Sequence, residues 1–67
     1  MRLYAIRGFM RGVSVYRTFH TDPEDWQETL DGTCLTSDLL VAVRVLKLIK
    51  SWDDSIELVI FDLQEVK

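Results

Sequence analysis

Cysteine and histidine are almost missing from this chain, which has one of each, Cys34 and His20. A lone cysteine excludes an internal disulfide, and one cysteine with one histidine leaves no usual ligand set for zinc. A reducing compartment suits such a chain, and a cytoplasmic location is expected. Long uncharged runs are missing too. The longest, Gly32 to Ser37, has six residues, and Arg2 and Arg7 interrupt the N-terminus. That pattern excludes a membrane-spanning helix or a secretory apolar segment, so no membrane partner is expected. There is no phosphate loop, dinucleotide fingerprint or metal motif, so no cofactor and no metal site are expected.

What is present is enough to fold. With 48% hydrophobic and 28% charged residues the 67-residue chain has the composition of a folded domain, not of a disordered one. Its length allows one domain, residues 1–67, which buries only about 60% of the surface its unfolded chain exposes. Charge is unevenly placed. The net value is −3, yet Arg2, Arg7, Arg11 and Arg17 stand in residues 1–20 without an acid, and all eleven acids follow. A basic N-terminal half and an acidic remainder are expected to polarise the molecule.

Residues 2–8 and 13–19 are rich in β-branched and aromatic types and flank Phe9-Met10-Arg11-Gly12, the pattern of a β-hairpin. A three-residue loop Met10-Arg11-Gly12 would set Leu3, Ala5, Phe9, Val13, Val15 and Phe19 on one face. Thr21-Asp22-Pro23-Glu24-Asp25 carries the marks of a helix start, with Gly32 closing a short first helix about ten residues on. A second start at Thr36-Ser37-Asp38 opens a stronger helix that runs to about Ser51. Ile56 to about Leu63 reads as a last strand, apolar on both faces at its centre. The order is then β-β-α-α-β: an α+β fold, with a three-stranded, mainly antiparallel sheet, the first strand central, and both helices packed on one face.

Candidate chemistry is sparse. His20 is the only base for Ser14, Ser37, Ser51, Ser55 or Cys34, and no activating motif surrounds any of them, so no enzymatic activity is expected. His20 reads as a strand-end residue and Cys34 as a small packing residue. The acids Glu24, Asp25, Glu28, Asp31, Asp53 and Asp54 lack the spacing of a calcium loop. Two surfaces carry the functional expectation. Arg7, Phe9, Arg11, Tyr16 and Arg17 interleave cations with aromatic rings on the hairpin, a surface for another protein or, alternatively, for nucleic acid. Arg7-Gly8-Phe9 even opens as the first RNA-contacting motif of RNA-recognition domains does, but Met10, Arg11 and Gly12 break that motif. Val41, Val45, Leu48 and Trp52 form a second apolar stripe on the long helix, beside the stripe Leu39, Ala42, Val43, Leu46 and Ile49. That extra width calls for self-association as a homodimer, through this stripe or through the last strand around Val59 and Phe61. The expectation is a non-catalytic protein-binding module: a small inhibitor, an antitoxin-like or phage-type modulator of a host protein, or a small subunit of a complex.

Overall fold

The structure is a computed structural model that describes residues 1–62. Leu63, assigned above to the last strand, lies outside the described residues. Strand β1 (Arg2–Met10) turns into β2 (Val13–Arg17), and a short β3 (Trp26–Gln27) follows. A 3₁₀ turn at Gly32–Cys34 precedes helix α1 (Leu39–Lys50), and β4 (Glu57–Asp62) ends the described chain. All strand pairs are antiparallel, in the order β3-β2-β1-β4.

The α+β class and the central position of β1 stand, but the finer expectation is corrected in three ways. Among the described residues the sheet has four strands, and one α-helix packs on it. The first helix expected after Asp22 does not form. Instead Thr18 N–H donates to Asp25 O (2.8 Å) and Asp25 N–H to the Thr18 hydroxyl (2.7 Å), which brings Trp26 into the ladder opposite Arg17. A lone helix of some ten residues is marginal in water, and seating Trp26 on the sheet overrides its start signals. The hairpin is also one residue shorter than expected. Met10 pairs with Val13, leaving Arg11 (φ 54°) and Gly12 (φ 80°) as a two-residue loop with both φ values positive, the type I′ geometry that fits strand twist.

That register decides which side chains meet. Residues opposite one another share a face, so Tyr4, Ile6, Gly8 and Met10 lie with Val13, Val15, Trp26, Leu58 and Ile60. Leu3, Ala5, Arg7 and Phe9 lie on the other side with Ser14, Tyr16, Glu57, Val59 and Phe61. The expected grouping of Phe9 with Val13 and Val15 is therefore wrong, as a one-residue change in the loop demands. Helix α1 covers the first face. Asp38 caps it, accepting from Leu40 N–H (3.0 Å) and Val41 N–H (3.3 Å). Ala42 and Ile49 are buried, and Ile49 forms the core with Ile6 and Ile56, flanked by Phe19, Trp26, Val45, Leu46 and Leu58. Each fully buried isoleucine contributes about 1.5–3 kcal/mol.

Candidate protein-docking crevice

Helix α1 lies on β1 and β4 and leaves the β2–β3 half of the same face open. Trp26 crosses that half, its ring reaching β1: a Cβ placed on Gly8 would lie 3.1 Å from Trp26 Cζ3 and 3.4 Å from Ile56 Cγ2. Glycine at position 8 is what lets the edge of the indole come this close to the strand. Between this ring and the end of α1 a crevice of about 200 Å³ opens, walled by Gly8, Met10, Val15, Trp26, Ile49 and Trp52. Trp52 is 77% exposed, Leu48 59% and Met10 55%. Such a cluster of large apolar side chains in water marks a contact surface.

One acid stands at the mouth. Asp53 also lines the crevice, and its carboxylate accepts from Ser55 N–H (2.9 Å) and from the Ser55 hydroxyl (2.6 Å). These bonds, the hydroxyl first, hold its carboxyl below the ordinary value, so the mouth carries a fixed negative charge.

The expected hairpin set is divided among three places. Arg7, Phe9 and Tyr16 come together on the face away from α1, with the Arg7 guanidinium 5.9 Å from the centre of the Phe9 ring. Arg7 is not free there: it donates to Glu57, its cross-strand partner, and that bond leads in holding it charged. Arg17 lies on the opposite face, over the Trp26 ring at 5.9 Å and bonded to Glu24 at 3.1 Å, with its Nε buried and unbonded. Arg11 alone stands at the loop tip. Phe9 borders the crevice, although strand alternation turns its ring to the other face.

The helix set fares differently. Val41, Leu48 and Trp52 are exposed along one flank of α1, while Val45 is half-buried against the core. Sequence reasoning missed Met10 and Gly8 as neighbours of Trp52 in the crevice. The available signal was the apolar Met10 and Val13 on either side of the loop, which only the correct register turns toward the helix.

Four of the six groups considered for catalysis have structural partners. His20 Nε2 lies 3.0 Å from Leu35 O, the Ser51 hydroxyl donates to Leu48 O and that of Ser55 to Asp53. Cys34 is buried, with Gln27 Nε2 donating toward its sulfur at 3.1 Å. Comparison with family models, with curated proteins and with solved structures finds no match for this chain.

Proposed function

We propose that this chain is a non-catalytic protein-binding module and that its partner seats an apolar side chain in the crevice between the hairpin end and the C-terminal turn of α1. The observation that carries this reading is Trp52: a tryptophan 77% exposed at the lip of an apolar crevice is the residue type that most often anchors a protein interface. The fixed charge of Asp53 beside it favours a partner segment with a cation next to its apolar anchor. A small inhibitor, an antitoxin-like or phage-type modulator of a host protein, or a subunit of a larger complex all use such a surface. The nucleic-acid alternative draws less support, because Arg2, Arg7 and Arg17 each face an acid across the sheet or loop.

The test is quantitative affinity capture with wild type, Trp52→Ala and Arg7→Glu. Trp52 is exposed, so its replacement leaves the core intact. Loss of a hot-spot tryptophan is expected to weaken the captured complex about thirtyfold or more, whereas Arg7→Glu, on the other face, leaves it unchanged. A stoichiometric partner retained equally by wild type and Trp52→Ala would move the docking surface elsewhere.

A further inference from the structure

Strand β4 forms one edge of the sheet, and among the described residues no strand lies beyond it. Its bonding directions follow from β1. Tyr4 exchanges both backbone hydrogen bonds with Thr36 (2.8 and 3.0 Å) on the side away from β4, so the even residues of β1 bond away from β4 and the odd ones toward it. Leu3, Ala5 and Arg7 therefore bond Phe61, Val59 and Glu57, and the backbone groups of Leu58, Ile60 and Asp62 point outward. The run Leu58–Phe61 has no lysine, no proline and no bulge in its register, the usual devices that blunt an exposed edge.

The geometry points to a second copy of this chain as the occupant of that edge, pairing β4 with β4 antiparallel about a two-fold axis near Ile60 to give one continuous eight-stranded sheet. The bonding residues are even-numbered, so with Ile60 on the axis Leu58 of each copy stands opposite Asp62 of the other, and neither acid of β4 faces an acid. Charge complementarity selects the same arrangement. Trp52, which ends the stripe Val41, Val45 and Leu48, lines the crevice over β2 and β3, so the opposite flank of α1, Leu39, Val43, Leu46 and Lys50, is turned toward β4. A two-fold axis normal to the sheet keeps both helices on one face and brings the Lys50 end of each beside the Asp62 end of the other copy's strand. Ile60, 54% exposed, and Leu39, 45% exposed, are buried in the process. One strand and one helix flank make a small interface, roughly 1,200 Å² or less in total, so dissociation in the micromolar range is expected. This surface is separate from the crevice and does not depend on its role.

Sedimentation at a series of concentrations tests the pairing on wild type, Ile60→Pro, Lys50→Glu, the exchange Lys50→Glu with Asp62→Lys, and Leu48→Glu. Wild type is expected to dimerise reversibly. Proline at 60 removes an N–H that points outward and that no bond among the described residues uses, and should raise the dissociation constant about tenfold or more, since the two-fold axis removes the bond twice. Lys50→Glu should weaken the dimer and the charge exchange restore it, which keeps the test decisive even if the proline variant misfolds by circular dichroism. Leu48→Glu should dimerise as wild type does, even if it loses the partner of the crevice. A wild type that stays at the monomer mass at all concentrations, or a dimer abolished by Leu48→Glu and spared by Lys50→Glu, overturns the proposal.

Discussion

Gly8 shows how one missing side chain organises the open half of the sheet. Trp26 can cross β2 and reach β1 only because position 8 carries no Cβ, and that crossing buries Val15 and forms the floor of the crevice. Gly8→Ala would place a methyl 3.1 Å from a rigid ring and 3.4 Å from Ile56, which has little room to move in the core. The overpacking cost of about 1–3 kcal/mol outweighs the ~0.4–1 kcal/mol gained by restricting the unfolded chain. A net loss of about 1–2 kcal/mol is expected in urea unfolding, with unchanged dependence on denaturant, and Trp26→Ala in the same chain should make the two effects non-additive. Equal or greater stability of Gly8→Ala would show that Trp26 does not lie against this strand. The hairpin loop teaches a related lesson. Arg11 at φ 54° occupies a backbone region that asparagine or glycine ordinarily fills, so the sequence placed both residues in the turn but carried no sign that Arg11 shares the positive φ of Gly12.

Among the elements, those with strong local signals were legible and those decided by distant contacts were not. The hairpin, the helix beginning at Asp38 and the apolar last strand all follow from periodicity and capping. Residues 21–31 carried equally good helix-start chemistry, yet Thr18 captures Asp25 in both backbone directions and the sheet gains a strand. Nothing local announces that Thr18 will be the partner. Of the acids weighed against a calcium loop, Asp31 and Asp53 prove to be turn residues; like Asp38, the expected helix start, each accepts the N–H two residues on, from Thr33 and Ser55 at 2.9 and 2.9 Å and, for Asp38, from Leu40 at 3.0 Å. Hydroxyls of Thr33 and Ser55 add bonds that lead in holding the Asp31 and Asp53 carboxyls below the ordinary value of 3.8. A carboxyl with a lowered folded value stabilises fully above its unfolded value and loses that contribution as pH falls through the folded one. Thermal stability should therefore hold above about pH 4 and decline below it, and the double variant Asp31→Asn, Asp53→Asn, which keeps an acceptor at each turn but cannot titrate, should decline less steeply. Identical slopes for the two proteins between about pH 4 and pH 2 would place the acid sensitivity in other groups.

Over the whole molecule, the charge asymmetry of the sequence is largely folded away. The four hairpin arginines promised a basic end, but an antiparallel sheet lays an acidic strand beside a basic one: Arg2 stands 4.0 Å from Asp62, Arg7 bonds Glu57, and the loop returns Glu24 to Arg17. Exposed pairs of this kind add little stability, on the order of 0–1 kcal/mol each, so their main effect is on the field the surface presents. Among the described residues, Arg11 alone of the hairpin arginines has no acid within ion-pair distance. Affinity for a polyanion scales with the number of phosphates or sulfates neutralised and falls steeply with salt, and one arginine at a loop tip gives almost none. The cations of α1, Arg44, Lys47 and Lys50, are exposed on the helix and do not belong to the hairpin surface, and the net charge of −3 opposes binding further. Heparin chromatography at low salt is thus expected to pass the wild type in or near the flow-through. Neutralising the acids that face the hairpin, with Glu24→Gln and Glu57→Gln together, should free two guanidinium groups on opposite faces of the sheet and delay elution. Retention of wild type into moderate salt, with no further delay in the double variant, would mean that the paired arginines already serve a polyanion and would restore the nucleic-acid reading over the protein-docking one.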